Sequence, residues 1–367
     1  MKIPYVDLKL QWAKERDELL PIIDTILSEA NHVGGREIKI FEDNIKGIVK
    51  TKHVIALNSG TDALTLGLHL LGVKSGDEVI TPPNSFIAST AVIVHLGARP
   101  IFVDVKDDQL IDPKKIEACI TEKTKAIMPV HLTGRMCDME GIMKISEKYN
   151  IPVIEDAAQS IGSTYKGKPA GSIGHIGCFS GHPLKNLNAF GDAGYLTTDN
   201  SEIASKIRSL ANHGMVERNI VENFGYVSRM DNLQAGILNY HITKLDKVIN
   251  QRRANADLYK ELLNKNYIYI PKSDNDNFDT YHTFVIQVDK RSDLISYLEN
   301  KGIQTSIHYP IPIHLQPAAK YLGHKDGAFP ETEKQAKRIL TLPVNQFIDT
   351  TKVEYICKTI NSFYKDN

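Results

Sequence analysis

The chain has 367 residues, of which 42% are hydrophobic, and its 44 Lys and Arg balance its 44 Asp and Glu, so the formal net charge is zero. This length exceeds that of a usual single hydrophobic core and predicts two domains. The balanced charge excludes an attraction to nucleic acid or to membrane surfaces through bulk electrostatics, and we expect neither partner.

The N-terminal segment, "MKIPYVDLKLQWAKERDE", has neither the apolar core nor the small-residue cleavage site of a signal peptide. No stretch approaches the roughly 18 apolar residues of a membrane span. The four cysteines are scattered and form no CxxC pair. We therefore expect a cytoplasmic protein with reduced thiols. Residues 1–30 are expected to pack beside the smaller of the two domains.

From about residue 53 to residue 200, short β-branched apolar runs alternate with helical patterns. The runs are "HVIALN", "EVITPP", "RPIFVDV", "KAIMPV", "IPVIEDAA", "IGCFS" and "GYLTT". This alternation predicts a large α/β domain, residues 31–245, with a mostly parallel sheet sandwiched by helices. In such sheets ligands bind outside the carboxyl ends of the strands.

The pattern changes near residue 215. The segment "SRMDNLQAGILNYHITKLDKVINQRRANADLYKELL" predicts one long helix or two in succession. The runs "YIYIP", "TFVIQV" and "IQTSIHYP" then predict strands, with a helix at "SDLISYLENKG" and further helices near 331–339 and 352–364. Residues 246–367 are therefore expected to form a small α+β domain.

The run "IPVIEDAAQS" is a buried type of strand that ends in two carboxylates. Neighbouring strand residues face opposite sides of a sheet, so Glu155 and Asp156 cannot both point into one site. One interpretation is that either acid caps the following turn. The other is that Asp156 faces the positive charge of a heterocyclic nitrogen, with Gln159 bound to a ring substituent.

Two further strand ends carry candidate ligands. In "LNSGTDALTLGLHLLG", Ser59, Gly60 and Thr61 lie between a strand and a helix, where free N–H groups favour an anion. Ordinary N-capping by Ser59 or Thr61 is the alternative, and it is the commoner use of these residues. The turn lacks the ending of a P-loop and is not GxGxxG. In "TPPNSFIAST", Phe86 is placed either to stack on a flat cofactor or to pack in the core.

The segment "CFSGHPLKNLNAFGDAGYLTT" adds Ser180, which could bind a phosphate, and Lys185. An anion-binding turn, an aromatic ring, an acid, a hydroxyl and an amine at one sheet edge together match what pyridoxal phosphate requires. Competing motifs are missing from the sequence: it contains no GxSxG, no HExxH and no dinucleotide fingerprint. We therefore expect no metal site.

The sequence resembles the DegT/StrS family of sugar aminotransferases over nearly its whole length. The likeness is carried by "IPYVDLKLQ", "NSGTDAL", "GDEVITPPNSFIAST", "IPVIEDAAQS", "FSGHPLKNLNAFGDAGYLTT", "SRMDNLQAGIL" and "IHYPIPIHLQPA". It implies the aspartate aminotransferase-like fold, known as fold type I, with pyridoxal 5'-phosphate as cofactor. It also implies amino transfer from L-glutamate to C3 or C4 of a nucleotide-linked keto-deoxysugar. The expected setting is amino-sugar and surface polysaccharide biosynthesis, such as that of lipopolysaccharide O-antigen, in a homodimer with shared active sites.

The resemblance also implies roles for individual residues. Lys185 matches the lysine that forms the Schiff base, Asp156 the acid beside the pyridine nitrogen, and Gln159 the amide near the ring hydroxyl. The other implied ligands are Phe86 for stacking, Gly60, Thr61 and Ser180 for the phosphate, and Arg229, His308 and Tyr309 for the sugar substrate.

Three positions depart from the family pattern. Val227 stands where an asparagine of a neighbouring subunit commonly touches the phosphate, and valine cannot donate that hydrogen bond. Gly181 replaces an aromatic residue and is expected to open space or to add flexibility beside the site, and Asn345 stands where histidine is frequent. Substrate specificity is expected at Gly181, Val227, Asn188 and His314.

Two other functions remain open. A few members of the family are sugar dehydratases with histidine in the lysine position, and Lys185 argues against that branch. A cofactor-binding regulatory protein is the second alternative, which the intact lysine, acid and phosphate cup disfavour.

Overall fold

The computed structural model describes residues 2–273 and 276–366, so the outermost residues of the predicted segments 1–30 and 246–367 lie outside the described part. The strands are β1 (His53–Leu57), β2 (Glu78–Thr81), β3 (Arg99–Phe102), β4 (Thr124–Ile127), β5 (Ile154–Asp156), β6 (Thr164–Tyr165), β7 (Lys168–Pro169), β8 (Ile176–Ser180), β9 (Gly194–Thr198), β10 (Met215–Glu217), β11 (Ile220–Val221), β12 (Ile268–Tyr269), β13 (Asn277–Phe278), β14 (Phe284–Val288) and β15 (Ile339–Leu342). The α-helices are α1 (Leu8–Ser28), α2 (Arg36–Val49), α3 (Gly60–Leu70), α4 (Ile87–His95), α5 (Pro113–Ile116), α6 (Met139–Tyr149), α7 (Ser201–Leu210), α8 (Asn232–Ile242), α9 (Leu245–Leu262), α10 (Arg291–Asn300), α11 (Pro330–Arg338) and α12 (Thr350–Asp366).

Each of the apolar runs between residues 53 and 200 forms a strand of one large sheet. Two ladders, β3-β2-β4 and β5-β8-β9-β1, are joined by parallel bridges from Ile127 to Val153 and from Val130 to Asp156. All pairings are parallel except those of β9, which runs antiparallel to β1 and to β8. The mostly parallel sheet predicted from the sequence is therefore present.

Hydrophobic residues cover both faces of this sheet. In β1, Val54 and Ala56 belong to one buried cluster, whereas Ile55 and Leu57 belong to another. Because successive side chains of a strand point to opposite faces, this division places a core on each side. A strand buried on both faces needs apolar residues at every position, which explains the continuous runs.

The smaller sheet differs from its prediction in one strand. It has the order β12-β14-β15 and packs against a third core that includes Tyr259, Ile286 and Ile356. The predicted strand at "IQTSIHYP" was wrong, because only single bridges form there, at Ile303 and Ser306. Pro310 and Pro312 follow closely and lack the N–H groups that a ladder requires. The third strand is β15, which directly follows α11.

The long helical segment forms two helices, α8 and α9, as one of the two interpretations allowed. The N-terminal segment contacts both parts of the molecule. Ile3 belongs to the core of the small sheet and pairs with Ile303, while α1 packs on α8 through Leu19, Ile237 and Tyr240. The domain boundaries themselves remain a prediction. Among the helices of the described residues, none combines the length and hydrophobicity needed to cross a bilayer.

Candidate active site

A cavity of about 400 Å³ lies at the carboxyl ends of the large sheet's strands, under the small sheet. It is lined by every predicted site residue except Arg229. The carboxyl ends of parallel strands meet at one sheet edge, which explains how positions from 60 to 185 converge. The structure therefore brings these residues together, while their individual roles remain predictions.

The turn before α3 keeps donors available for an anion. Ser59 caps the helix: its Oγ accepts from the N–H of Asp62 at 3.0 Å and its carbonyl from the N–H of Ala63 at 3.1 Å. The N–H groups of Gly60 and Thr61 precede these two, at positions without intrahelical partners. A Cβ on Gly60 would lie 2.9 Å from the Cβ of Ser180, so only glycine lets the turn approach β8 this closely. The turn thus caps the helix through Ser59 and leaves the N–H groups of Gly60 and Thr61 available to an anion.

Asp156 is a buried carboxylate that faces the cavity. Its Oδ2 accepts from Ser89 Oγ at 2.7 Å and its Oδ1 from the N–H of Ala158 at 3.2 Å. Burial raises the pKa of Asp156 despite these bonds and the positive charge of Lys185. A protonated heterocyclic nitrogen would supply the positive charge that this carboxylate lacks, so the acid fits a pyridine ring.

Glu155, on the opposite face of the strand, is fully occupied by structural contacts. Its carboxylate accepts from His131 Nε2 at 2.8 Å and from the N–H groups of Gly171 at 2.8 Å and of Ile173 at 2.8 Å. Burial alone would raise the pKa of Glu155, but these bonds outweigh it and lower the pKa. The two acids therefore have separate roles, and only Asp156 is available to a ligand.

Lys185 is an amine drawn into the cavity and not a solvated loop charge. Burial lowers its pKa to about 8, against the opposing effect of the Asp156 carboxylate. A lysine near neutrality has a substantial unprotonated fraction at physiological pH, which a nucleophilic amine requires. Its side chain keeps some solvent exposure because it lines the cavity.

A wall of the cavity is formed by two aromatic residues, Phe86 and Tyr309, and by the amide of Gln159. Phe86 is 55% exposed, and its ring centroid lies 5.7 Å from that of Tyr309. Gln159 Oε1 accepts from the N–H of Thr133 at 2.7 Å, and its Nε2 donates to the Tyr309 hydroxyl at 3.4 Å. Burial raises the pKa of Tyr309 to about 12, so its hydroxyl remains a donor at neutral pH. The exposed ring of Phe86 offers a free face to a flat ligand.

His308 lies beside this wall. Its Nδ1 is 3.0 Å from Thr341 Oγ1, and its ring centroid is 5.7 Å from that of Tyr5. Burial, with a smaller effect of the Lys185 charge, lowers the pKa of His308 to about 4. His308 is therefore a neutral hydrogen-bonding group at physiological pH.

Several residues that line the cavity escaped the sequence analysis. Ser89, on α4, could have been identified from its spacing of three residues from Phe86, which directly precedes the helix. Other lining residues approach from the N-terminal segment, α9 and the small sheet, and no local pattern identifies them. They include Tyr5, Arg252, His282 and Thr283. Asn345, noted only as a departure, also lines the cavity.

Five residues that the sequence analysis associated with the site do not line the cavity. Arg229 Nη1 donates to Asn212 Oδ1 at 3.0 Å, and Val227 is 60% exposed. Gly181 opens no space, contrary to expectation, because a Cβ there would lie 3.0 Å from the Cβ of Ala193. Asn188 and His314, expected to set specificity, are buried outside the cavity lining.

A sequence model of the DegT/DnrJ/EryC1/StrS aminotransferase family matches residues 13–361. The chain belongs to this family. Among curated relatives of this aminotransferase, the pleiotropic regulatory protein of Geobacillus stearothermophilus is 38% identical, with 100% of this chain and 99% of that protein covered. The UDP-2-acetamido-2-deoxy-3-oxo-D-glucuronate aminotransferase of Pseudomonas aeruginosa is 36% identical, with 98% and 100% covered.

Solved structures agree with the sequence comparison. DesV of S. venezuelae, crystallised with a ketimine intermediate, superposes with a TM-score of 0.96 at 33% identity, covering 99% of this chain and 98% of that one. NtdA of Bacillus subtilis, with bound cofactor PMP, gives a TM-score of 0.89 at 36% identity, covering 96% and 82%. The predicted family and fold type I are thereby confirmed. The protein is a pyridoxal-phosphate-dependent aminotransferase, which confirms the predicted cofactor.

Proposed function

We propose that this aminotransferase transfers the amino group of L-glutamate to the C3 or C4 carbonyl of a keto-deoxysugar linked to a nucleotide. One observation carries the proposal: the Lys185 amine, with a pKa near 8, and the buried Asp156 carboxylate converge on one cavity with the anion-binding turn of α3. The name of the Pseudomonas relative, a UDP-linked 3-oxo sugar aminotransferase, supports this class of substrate.

The cofactor's phosphate would be held by Gly60, Thr61 and Ser180, which surround the N-terminus of α3. When bound, pyridoxal phosphate supplies an electrophilic carbonyl carbon and an electron-accepting ring. Asp156 would hold a negative charge beside that ring, aided by its bonds from Ser89 and Ala158. Phe86 would cover one face and Gln159 would contact a ring substituent.

Lys185 would perform the proton transfers. Before the cofactor is attached, the neutral amine of Lys185 is a nucleophile. Once the amino donor has displaced it from the cofactor, the amine is a base whose pKa lies close to neutrality. A general base works best when its pKa lies near the working pH, because much of it is then unprotonated while it still binds a proton strongly enough. The Nζ atom would therefore take a proton from the α-carbon of the amino donor and deliver it to the former carbonyl carbon of the cofactor, on the other side of the transferred nitrogen.

Tyr309 and His308 are the proposed contacts for the sugar. The Tyr309 hydroxyl stays protonated and the His308 imidazole stays neutral, so both offer hydrogen bonds without charge. Neutral donors and acceptors suit the hydroxyl groups of a sugar.

A homodimer with shared sites forms part of the proposal. A patch of exposed large apolar residues supports it, centred on the β10–β11 hairpin, and we call it the hairpin patch. Its members are Val216, Ile220, Val221, Phe224, Tyr226 and Val227, with Phe224 100% exposed. Contiguous exposed apolar surface is typical of protein interfaces. Arg229 follows the patch directly and would reach the neighbouring subunit's site, where Val227 would leave the phosphate without a side-chain donor. Sedimentation of a fully active monomer would contradict this part.

We further assign the protein to cytoplasmic amino-sugar synthesis for surface polysaccharides such as O-antigen. All four cysteines are free thiols, in keeping with a reducing compartment.

The decisive experiment supplies the pyridoxal-phosphate-loaded protein with L-glutamate and UDP- or dTDP-linked 3-keto and 4-keto sugars. We expect 2-oxoglutarate and an amino-sugar nucleotide in equal amounts, measured by mass spectrometry, with ping-pong kinetics. Loss of water from the sugar without 2-oxoglutarate would instead indicate a dehydratase. No reaction with any sugar would favour a regulatory role, the one in the name of the Geobacillus relative.

A further inference from the structure

The turn that carries Lys185, residues 181–193, is held by the side chain of a residue outside the cavity, and we call it the lysine turn. Asn188 is 5% exposed and does not line the cavity. Its Nδ2 donates to the carbonyl of Pro183 at 3.2 Å, so this bond closes the chain around Lys185. Within the same turn, the N–H of Lys185 donates to the carbonyl of His182 at 2.8 Å. The backbone on both sides of the lysine therefore depends on Asn188.

A second buried amide, from the N-terminal helix, pairs with Asn188. Gln11 lies on α1 and is 4% exposed. Its Nε2 donates to Asn188 Oδ1 at 3.4 Å, and its Oε1 accepts from Asn188 Nδ2 at 3.4 Å. Each amide thus supplies both a donor and an acceptor to the other. Because buried amides without partners are costly, this pairing restricts the conformations of both side chains.

The backbone of Asn188 is bound as well, by a histidine of α8. His241 is 5% exposed, and its Nδ1 lies 2.5 Å from the carbonyl oxygen of Asn188. A carbonyl can only accept, so Nδ1 carries a proton and donates it to this bond. On the other side of the ring, Nε2 lies 3.0 Å from Glu15 Oε2 and 3.4 Å from Gln11 Nε2. The imidazole therefore joins α1, α8 and the lysine turn.

Polar contacts at this place constrain the turn more tightly than apolar packing would. Hydrophobic contacts have no preferred direction, whereas hydrogen bonds between buried groups specify both distance and angle. The reactive amine needs such a constraint, because a displacement of about 1 Å can slow an enzymatic reaction on the order of 100-fold. The network thus lies where it can control the position of Lys185 without entering the cavity.

We propose that Asn188, Gln11 and His241 position Lys185 for its reactions by holding the lysine turn in one place. None of the three lines the cavity, so they act through the turn and are positioning residues. The inference rests on the proposed role of Lys185 and goes beyond it by giving the N-terminal helix a part in catalysis. Gln11 and His241 are far from the lysine in the sequence, and only the packing of α1 and α8 brings them to it.

Two replacements of His241 separate positioning from simple packing. The amide nitrogen of asparagine and Nδ1 of histidine are the same number of bonds from Cα, and the amide nitrogen of glutamine matches Nε2 in the same way. His241→Asn therefore keeps a donor for the Asn188 carbonyl, whereas His241→Gln keeps only the position that faces Glu15. Asparagine is the smaller side chain and leaves the larger cavity, so a purely structural role predicts that His241→Asn is the worse variant. The proposed role predicts the opposite order.

The test follows the half-reaction of the pyridoxal-phosphate-loaded protein with L-glutamate by absorbance. For His241→Gln and Asn188→Ala we expect the rate constant at saturating L-glutamate to fall roughly 10-fold or more. The half-saturating concentration should hardly change, because the donor does not touch these residues. His241→Asn is expected to stay within about threefold of the wild type. The visible circular dichroism of the attached cofactor, which reports its orientation, should change in the same variants.

Asn239, also on α8, provides a matched control. Its Nδ2 donates to the carbonyl of Glu37 at 2.9 Å and its Oδ1 accepts from Asn44 Nδ2 at 3.2 Å, so it binds α8 to α2 and not to the lysine turn. Asn239→Ala is expected to lower Tm as the other variants do, but to leave the rate constant and the circular dichroism of the cofactor at their wild-type values.

Equal rate constants in His241→Asn and His241→Gln would overturn the proposal, and so would a wild-type rate constant in Asn188→Ala. Gln11→Leu, which keeps a similar shape and removes the amide, tests the same turn from α1, so one variant that fails to fold does not prevent the decision. A failure of the proposed function would instead appear in the wild type, as cofactor attached to another lysine or no reaction with L-glutamate.

Discussion

Ser89 Oγ, on α4, donates a 2.7 Å hydrogen bond to Asp156 Oδ2, at the end of β5. Burial raises the pKa of Asp156, and the hydrogen bond from Ser89 opposes this effect by lowering the pKa. The bond thereby helps to keep Asp156 ionised, as the proposed role of Asp156 beside a ring nitrogen requires. The two residues come from different βα units, so this support depends on the packing of α4 against the sheet.

Replacement of Ser89 by alanine tests this support. Loss of the bond is expected to raise the pKa of Asp156 and to move the acidic limb of the pH–rate profile to higher pH. We expect a decrease in kcat/KM at neutral pH of about 5–10-fold, corresponding to one lost hydrogen bond. Thr90→Val is the control, because Thr90 Oγ1 is buried without a partner in the part of the chain described. An unshifted profile in Ser89→Ala would count against the role of the bond.

Replacement of Lys185 by alanine is expected to abolish turnover, since the amine is proposed to act both as nucleophile and as proton carrier. The visible absorption band of the covalently attached cofactor should disappear as well. Borohydride reduction followed by peptide mass mapping identifies the attached residue directly. Lys144→Ala, which removes an exposed lysine paired with Glu140, is the control. Label on any peptide without residue 185 would refute the assignment.

Cofactor loading is expected to depend on pH through the same amine. With the Lys185 pKa at about 8, the rate at which the cofactor-free protein captures pyridoxal phosphate should rise with pH and level off above 8. The Asp156 charge raises this pKa, so Asp156→Asn should move the inflection to lower pH. Stopped-flow absorbance measures both curves. An inflection near the ordinary lysine value of about 10.4 would show that the amine is not buried as described.

The depressed pKa of His308 predicts a loss of stability in acid. Its folded-state pKa, about 4, lies below the unfolded value near 6.5, so the unfolded chain binds the extra proton first. The free energy of unfolding should fall as the pH decreases from about 6.5 towards 4, by about 2 kcal/mol at pH 5 from this residue. Urea titrations of wild type and His308→Gln at pH 7 and pH 5 measure the difference. His69→Gln, at an exposed position of α3, should retain the wild-type dependence.

The sequence determined most of the large sheet and the part of the site that the sheet carries. Strands buried on both faces need unbroken apolar runs, so each run could be recognised locally. Because strand ends meet at one edge, Gly60, Asp156 and Lys185 could be placed in one site without a structure. The cofactor followed from that conjunction.

Tertiary structure alone decided the remainder. Whether a run such as "IQTSIHYP" pairs as a strand depends on contacts that form only in the folded chain: it meets the edge of β15 at a single bridge, from Ser306 to Thr341, before the prolines end the pairing. Gly181 is held against Ala193, and Arg252 reaches the cavity only because α9 and the small sheet fold over it. Such contacts join residues far apart in the chain, and their physical basis, burial and the pairing of polar groups, exists only after the chain has folded.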